Sequence, residues 1–527
     1  MRATGLLLRS IGHAESLITL PAIECRKAVE AMKSYLDLFP QEKEKIAGES
    51  RILLMTLPSI VGVDEPFRLK ITMLNVSGMP DEGFRGIVKL NPSQPCLKLP
   101  STLKFSPADR GIKTIAGLRS TKPGVLYVEG EVEGSPGKPP RSNPTKVIEN
   151  PSERLFWGDI HVHSVLGRCH EDIAKEPEFA YWYARQVTHL DFAAVTDHLR
   201  GLNRERWERI KALAEEHNRP GDFVALLGFE SSHSKDHGGD INVYYLDADA
   251  GYFWLDREDM KGTSPKVGLD VLWDWLDRQG KPYLTIPHHT GRAAKYRNFT
   301  LPYYNPTREP VLEVFSMWGS SEARHDDFYL RGGKSDAPAY LQDALKLGYR
   351  YGVIGSSDTH HTMPGSPCSI LPCPYHHPAN SMVNQGLAAV YARELSRQAI
   401  FDSLMKRRCY ATTSTRPILD FWVESTPMGG TLEVGEAQEP ARTIRIEVCT
   451  SMLPATLEII CNNELLHSFK IRDVHTLYTF TDDRDVGNLW IEGAPRDPSP
   501  FMYYYLRLRY QGITAWSSPV WLCRNPV

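Results

Sequence analysis

The chain has 527 residues and a formal net charge of -3 at neutral pH, which excludes a strong overall attraction to nucleic acid or to anionic membranes. Its length exceeds that of one ordinary hydrophobic core, so several domains are expected. No stretch approaches the roughly 18 apolar residues of a membrane span, and the N-terminus lacks the apolar run of a secretory signal. Nine scattered cysteines favour a reducing compartment. We therefore predict a cytoplasmic protein that binds neither nucleic acid nor membrane.

Four parts follow one another along the chain. Residues 1–50 are predicted to form a helical segment, because apolar residues recur there at helical spacing. Residues 51–150 alternate short β-branched runs with Gly, Pro and Asn turns, which indicates a β-sandwich-like domain. Residues 416–527 show the same pattern and form a second such domain. These two β-domains offer surfaces through which copies of the chain could form a homo-oligomer.

The remaining part, residues 151–415, alternates strand-like runs with helical segments. This alternation predicts parallel β/α units and an α/β fold class. Counting the runs gives about seven strands, slightly short of the eight strands of a common strand-and-helix barrel. Helices are expected at 176–187, 204–218, 269–279, 337–347 and 395–407.

Metal-ligand residues end six of the strand-like runs between residues 156 and 360. Thirteen of the eighteen histidines fall between 161 and 361, a concentration that chance dispersal does not readily produce. In strand-and-helix barrels the loops after the C-terminal strand ends converge on one mouth. The pattern therefore predicts that imidazoles and carboxylates meet at one site.

The spacing within these motifs indicates how metal ions would be held. His161 and His163 are two apart in a strand, so both can bind one ion, although an isolated pair is often just surface or core histidine. Glu230 ends an apolar run, where a carboxylate is costly unless it is paired or bound to metal. A bridging position suits its two oxygens, and a solvated strand end is the alternative. Asp358 and His360 offer oxygen and nitrogen to adjacent ions.

Two further side chains are predicted to act in catalysis. Asp197 precedes His198 at a strand end and is placed to orient that imidazole, with a helix N-cap as an equal alternative. Arg292 is the chosen clamp for a phosphate group, since a guanidinium binds phosphate in a bidentate manner. The cations considered for this role are Arg168, Arg200, Arg292, Lys295 and Arg297. For each of them, the alternative is an ordinary solvated charge on a surface loop.

The order His-x-His, Thr-Asp-His, Glu, His and Asp-x-His at successive strand ends resembles the PHP (polymerase and histidinol phosphatase) superfamily over about residues 155–420. The runs 286–289, 313–322 and 355–364 look most similar to a little-characterised branch related to the carbaryl hydrolases. The resemblance implies a distorted seven-stranded (β/α)7 barrel of PHP type, flanked here by the two β-sandwich-like domains. It also implies two or three divalent ions.

The resemblance further implies which residues bind each ion. His161, His163, Glu230 and Asp358 would hold the first, and Glu230 would bridge to a second ion held by His288. A third ion would lie on His198 and His360. The family's usual Asp or His after the His-x-His motif is absent, so His170 is chosen, with Cys169 and Asp172 as alternatives. The predicted metal ligands are therefore His161, His163, His170, His198, Glu230, His288, His289, Asp358 and His360.

Zinc, manganese or iron fits such mixed nitrogen and oxygen ligands. Because the ions carry more charge than the carboxylates remove, the pocket should attract a small anionic substrate or polarise a carbonyl. We expect a di- or trinuclear metal-dependent hydrolase in which a metal-bridging hydroxide attacks phosphomonoesters or phosphodiesters. Hydrolysis of carboxylic ester, carbamate or amide bonds is the alternative activity. A non-catalytic metal-binding interaction protein is the third interpretation.

Overall fold

The computed structural model describes residues 51–524 apart from 76, 135–138, 170, 172, 254–264, 327–329, 368–384, 414, 436–441 and 511–512. The predicted helical segment at residues 1–50 lies outside the described residues, as do the ligand candidates His170 and Asp172.

The first described part of the chain is built mainly from strands, with one short 3-10 helix at Pro107–Asp109. Its strands are β1 (Arg51–Thr56), β2 (Ile60–Gly62), β3 (Phe67–Asn75), β4 (Gly86–Pro92), β5 (Thr102–Phe105), β6 (Ile112–Leu118), β7 (Gly124–Leu126), β8 (Val128–Val132) and β9 (Thr145–Ile148). They form three sheets of three strands, β1–β3–β6, β5–β4–β8 and β2–β9–β7. Alternation along β3 turns Leu69, Ile71 and Met73 into a core that the sheets share.

The central part contains both strands and helices. Its strands are β10 (Arg154–Asp159), β11 (Phe192–Val195), β12 (Val224–Ser232), β13 (Asp240–Tyr245), β14 (Tyr283–Pro287), β15 (Val311–Ser316), β16 (Gly319–Ser320), β17 (Gly352–Gly355), β18 (Gly386–Ala392) and β19 (Cys409–Thr413). Its helices are α1 (Pro177–Trp182), α2 (Arg204–His217), α3 (Leu269–Arg278), α4 (Leu341–Lys346) and α5 (Arg397–Met405).

All five helices lie within the predicted helical segments, with shorter bounds. The longest, α2, starts where the Asn203 side chain accepts a hydrogen bond from the Arg206 backbone N–H, because such a cap satisfies a free donor of the first turn. Its buried face comprises Trp207, Ile210, Leu213 and Ala214.

The last part returns to strands. These are β20 (Ile418–Val423), β21 (Thr426–Pro427), β22 (Thr431–Val434), β23 (Thr443–Cys449), β24 (Ala455–Cys461), β25 (Glu464–Ile471), β26 (His475–Thr481), β27 (Phe501–Tyr510), β28 (Ile513–Ser517) and β29 (Val520–Arg524). Four of them form the sheet β21–β20–β23–β26. Others continue the central sheet, because β28 pairs with β19 in an antiparallel ladder. The proposed division at residue 416 remains a prediction.

The predicted α/β class and the seven-stranded (β/α)7 barrel of PHP type are wrong. Strands account for 42% of the protein and helices for only 15%, which leaves too little helix to cover a barrel. Within the described residues, the central parallel ladders are β10–β11–β12 and β15–β17, whereas β12–β13–β14 and β10–β18–β19 pair antiparallel. A thirteen-stranded sheet running from β14 to β25 results, with β22 and β29 as a branch.

The barrel prediction fails because several consecutive strands run antiparallel to each other instead of parallel. An antiparallel neighbour can follow after a short loop, while a parallel neighbour needs a crossover that is usually helical. The loop of residues 233–239 between β12 and β13 is short and brings the chain straight back. Hydrophobic periodicity identifies a strand without specifying this direction.

No helix in the described ranges is both long and apolar enough to cross a membrane.

Candidate metal centre

His161 and His163 lie in the segment that follows β10. Between them, Val162 forms a parallel β-bridge with Thr359, which brings this segment beside the one that follows β17. Because residues two apart project from the same side of an extended chain, both imidazoles face the same space. Their ring centroids are 5.2 Å apart, and both side chains are buried.

The carboxylates of Glu230 and Asp358 complete a group of four around these imidazoles. His161 Nε2 lies 3.5 Å from Glu230 Oε2 and 3.4 Å from Asp358 Oδ1. His163 Nε2 lies 3.2 Å and 3.1 Å from the same two oxygens. Metal–ligand bonds of about 2.1 Å place neighbouring ligand atoms about 3.0 Å apart in an octahedron and about 3.4 Å apart in a tetrahedron. The four side chains therefore have the spacing of one coordination shell.

A second group adjoins the first through the other oxygen of Glu230. His288 Nε2 is 3.4 Å from Glu230 Oε1, so the two oxygens of this carboxylate face different imidazoles, as expected of a bridging ligand. His289 turns toward Asp240, with 2.8 Å between Nε2 and Oδ2. Asp240, His288 and His289 offer ligand atoms that lie within 4.8 Å of one another.

A third group consists of His163, Cys169, His198 and His360, whose ligand atoms also lie within 4.8 Å of one another. The His163 ring stacks on both other imidazoles, with centroid distances of 4.4 Å to His198 and 4.3 Å to His360. His198 Nδ1 is also 3.0 Å from Glu230 Oε2. Since His170 is not described, Cys169 is the described member of the three alternatives considered for this position.

Two buried carboxylates that the sequence analysis did not select hold the groups in place. Glu313 in β15 lies 3.0 Å from His161 Nδ1 through Oε2, and this contact leaves His161 Nε2 to face Glu230 and Asp358. Asp159, the last residue of β10, accepts hydrogen bonds from the backbone N–H groups of Ser357 and Gly365, each 2.9 Å long. Hydrogen bonds from residues that do not themselves bind the metal orient the ligand side chains and fix the imidazole tautomer.

The electrostatics of the cluster indicate a demand for positive charge. Burial alone favours the neutral imidazole, but Asp358 and Glu313 outweigh it and raise the pKa of His161 well above its usual value. Burial is outweighed in the same way at His163, where Asp358 and Glu230 raise the pKa to about 9. The pKa of Asp358 is correspondingly held well below its usual range, against the effect of burial, by these imidazoles.

Several buried imidazole nitrogens in the cluster are without a hydrogen-bond partner in the described structure. They include Nε2 of His161 and both ring nitrogens of His288. Burying a polar atom without a partner is costly, and a metal ion would relieve that cost. The side chains therefore fit divalent cations in number, type and spacing.

Asp197 is not placed as the sequence analysis predicted. Its carboxylate accepts hydrogen bonds from the Ser164 backbone N–H at 2.6 Å and from Ser164 Oγ at 2.5 Å. His198 Nδ1 instead faces Glu230 and Ser232 Oγ, the latter at 3.3 Å. Asp197 therefore shapes the turn that follows His163 and does not contact the imidazole beside it.

Arg292 lies beside the cluster, on the loop that follows β14. Its guanidinium carbon is 4.4 Å from the centroid of the Trp318 ring, and this ring lies 5.8 Å from His360 and 6.2 Å from His289. Lys295 on the same loop has its Nζ 3.4 Å from Asp240 Oδ2.

The other candidate cations contribute differently. Arg297 is buried in an ion pair with Glu309, so it is structural. Arg168 is exposed and lies 3.7 Å from Glu171.

Sequence reasoning missed Glu313 and Asp240 as contributors to the cluster. A signal for each was present, because Glu313 interrupts the apolar run of β15 and Asp240 follows two glycines at the start of β13. Neither has a recognised ligand spacing to a neighbouring histidine in sequence. Their partners, His161 and His289, are 152 and 49 residues away.

Comparisons with known proteins place the chain near a family of unknown function. The model of that family, DUF3604, matches residues 199–328 and 375–443, which is less than half of the chain. Two relatives described as uncharacterized proteins come from Chlamydia pneumoniae, at 27% identity over 396 residues, and Chlamydia trachomatis, at 29% over 402 residues. Both matches cover 73% of this chain, which spans about 60% of the length of these curated relatives.

Among solved structures, a β-glucuronidase from Parabacteroides merdae aligns at 10% identity with a TM-score of 0.17, over 90% of this chain and 64% of that one. An α-2-macroglobulin from Escherichia coli aligns at 7% identity with a TM-score of 0.16, over 90% and 24%. Scores this low carry no information about the fold.

The predicted membership of the PHP superfamily, and of its carbaryl-hydrolase branch, is wrong. The matching family model is one of unknown function, and the β-rich architecture is not the implied barrel. The physical reason is that His-x-His and Asp-x-His are ligand spacings that any strand end can supply. Their presence indicates metal-binding chemistry without specifying a family.

Proposed function

We propose that this protein is a metal-dependent hydrolase of small anionic substrates, with phosphomonoesters and phosphodiesters as the preferred class. The observation that carries the proposal is the convergence of buried imidazoles and carboxylates, with ligand atoms 3.1 to 3.5 Å apart, from the segments after β10 and β17 and from β12. Zinc, manganese or iron suits this ligand set.

Divalent ions bound here would acidify water and polarise a phosphoryl oxygen. The side chains have separate tasks around them. Glu230 connects the first two ligand groups through its two oxygens, and Asp358 lies between His161 and His163 on one side and His289 on the other. Glu313 and Asp159 hold the imidazole and the loop on which this geometry depends.

An anionic substrate is favoured by the cations at the edge of the cluster. Arg292 makes a cation–π contact with Trp318, which orients the guanidinium. Within the described residues Arg292 has no carboxylate partner, so its charge is available to a phosphate oxygen. A phosphate oxygen would make a stronger and more often bidentate hydrogen bond with this guanidinium than the neutral carbonyl of an ester would.

The test combines elemental analysis of the purified protein with a substrate screen. The screen uses an aryl phosphate, an aryl phosphodiester, a carboxylic ester and an aryl carbamate. We expect stoichiometric zinc, manganese or iron in the wild-type protein, and loss of both metal and activity in His161→Ala and Glu230→Gln. The exposed His325 provides the matched control, and His325→Ala should keep both.

Arg292→Gln separates the substrate classes. We expect it to lower kcat/KM for the aryl phosphate by about 10- to 100-fold, the worth of one charged hydrogen bond, while metal content stays unchanged. Faster turnover of the ester or carbamate, insensitive to this change, would support the alternative activity. Retained metal without any turnover would support a non-catalytic role, and a wild-type protein without metal would contradict the proposal.

A further inference from the structure

A cavity of about 550 Å³ lies where the first three sheets meet the central sheet. One wall comes from the first part of the chain, between Thr56 and Lys70. The other includes Trp157 in β10 and Arg416 after β19. Cavities of this size accommodate small organic molecules.

This cavity is separate from the metal-ligand cluster. Trp157 contacts the cavity, whereas His161 follows four residues further along the same segment. An extended chain rises about 3.3 Å per residue, so the cavity and the cluster are about 13 Å apart along β10. A ligand in the cavity would not be bound by the metal centre.

Two cations face the cavity interior with little neutralising charge. Lys70 Nζ has no ion pair or hydrogen bond in the part of the chain that the structure describes. Arg416 donates hydrogen bonds only to backbone oxygens of Thr188 and His189, as far as described residues are concerned. Burial, opposed by the charge of Asp191, lowers the pKa of Lys70 and brings that of Arg416 to about 10.

The carboxylates around the cavity are mostly engaged elsewhere. Glu65 pairs with Arg154 at 2.8 Å, and Asp222 pairs with Arg185 at 2.5 Å. Asp191 accepts a hydrogen bond from the Trp157 backbone N–H, and it is the one buried acid near both Lys70 and Arg416. The whole lining holds five basic and four acidic side chains, with Glu394 at the exposed rim, so the cavity carries an excess of one positive charge.

The rest of the lining is largely apolar. It includes Leu57, Ile60, Phe67, Phe156 and Leu395. The apolar part of an organic ligand would contact these side chains, which an inorganic ion could not do. The cavity therefore combines an apolar surface with a cationic end.

We propose that this cavity is a second ligand site, which binds an organic anion with its carboxylate or phosphate group at Lys70 and Arg416 and its apolar body against Ile60, Phe67 and Leu395. The site does not depend on the proposed hydrolase activity, and its position between two parts of the chain lets a ligand join them.

Isothermal titration calorimetry of the full chain with naphthalene-2-carboxylate tests the proposal, with naphthalene-2-carboxamide as the neutral counterpart. We expect the carboxylate to bind at least about tenfold more tightly than the amide, from one charged hydrogen bond. Lys70→Met should remove that advantage, and Lys70→Arg should restore it. His161→Ala, which acts at the metal centre, should bind the carboxylate normally.

Equal binding of carboxylate and amide, or unchanged binding by Lys70→Met, would overturn the proposal. Loss of binding in His161→Ala would do the same, because it would assign the anion to the metal centre. If Lys70→Met does not fold, the exposed rim residue Arg393 supplies a second variant. Arg393→Gln should then weaken carboxylate binding relative to amide binding, and no change in that ratio would count against the site.

Discussion

At the scale of single residues, the protein concentrates buried charge in a way that needs an explanation. Glu230, Glu313 and Asp358 are each at most 2% exposed, and ionised carboxylates are rarely buried unless they are paired or bound to metal. Their neighbours are imidazoles rather than arginine or lysine. An imidazole can give up its proton to make room for a metal ion, whereas a guanidinium cannot.

Glu313 provides a test of how the cluster is held. Glu313→Gln replaces a carboxylate that contacts His161 Nδ1 by a neutral amide, and we expect divalent metal affinity to fall about 10- to 100-fold, as for other outer contacts of metal ligands. Competition with a chromogenic chelator measures the change. Glu433→Gln, at an exposed position in β22, is the control. Equal affinity in both variants would show that Glu313 does not support the site.

Candidate ligands could be selected from the sequence where the evidence was local. His161 and His163, or Asp358 and His360, carry their ligand spacing within three residues. The contact of Asp197 with Ser164 could not be predicted in this way, because it depends on how the segments after β10 and β11 are brought together 33 residues apart.

At the scale of elements, the pairing of β10 with β11 positions the first ligands. Gly158 lies opposite Phe192 in this parallel ladder, and a Cβ atom at Gly158 would lie 2.2 Å from the Phe192 ring. The absence of a side chain at Gly158 therefore allows the buried ring to pack against the strand that leads to His161.

Gly158→Ala should consequently destabilise the protein and displace the end of β10. We expect a loss of about 1 to 3 kcal/mol, typical of overpacking in a core, together with weaker metal binding. Urea unfolding and metal titration measure the two effects. Gly83→Ala is the matched control, since the nearest atom to its new Cβ, Asp81 Oδ1, is 3.7 Å away. A Gly158→Ala protein as stable as Gly83→Ala would contradict this account of the packing.

The elements themselves were predictable to different degrees. Helix α2 carries its cap and its apolar face within residues 203–217, so its sequence alone indicates a helix. The directions of β13 and β18 cannot be inferred from a short stretch of sequence. A strand with both faces buried is an apolar run, whether its neighbours are parallel or antiparallel. The barrel prediction also counted only strands that alternate with helices, so it did not include the antiparallel strands β13 and β18.

At the scale of the whole molecule, His189 connects the sheet β1–β3–β6 to the central part of the chain. Its Nδ1 is hydrogen-bonded with Thr56 Oγ1, and its Nε2 lies 2.9 Å from Thr72 Oγ1. Burial, together with the positive charges of Lys70 and Arg416, lowers the pKa of His189 well below its usual value. Asp191 lies close to both cations and partly offsets their positive charge. The folded protein therefore keeps this imidazole neutral.

The consequence is a specific loss of stability in acid. Below about pH 6.5 the unfolded chain takes up a proton at His189 and the folded chain does not, so the free energy of unfolding falls by about 1.4 kcal/mol per pH unit. This contribution is complete above pH 6.5 and declines as the pH is lowered toward the folded pKa. His189→Asn should remove it, and asparagine also tolerates the positive φ of 57° at this position.

Thermal unfolding from pH 7 to pH 5 measures the effect. The Tm of the wild-type protein should fall more steeply than the Tm of His189→Asn over this range, with the two curves converging in acid. Parallel curves would show that the imidazole is protonated in the folded state as well.

Local sequence was sufficient to locate many of the strands, the five α-helices of the described residues, and the histidines and acids that have metal-ligand spacing. These properties depend on residues a few positions apart, so they can be read from periodicity and local chemistry. Only the tertiary structure decided that β13 and β18 run antiparallel to their neighbours, that Glu313 contacts His161, and that Lys70 and Arg416 face one cavity. Each of these depends on which distant segments pack together, and that choice is made by the sum of many contacts across the fold rather than by any local motif.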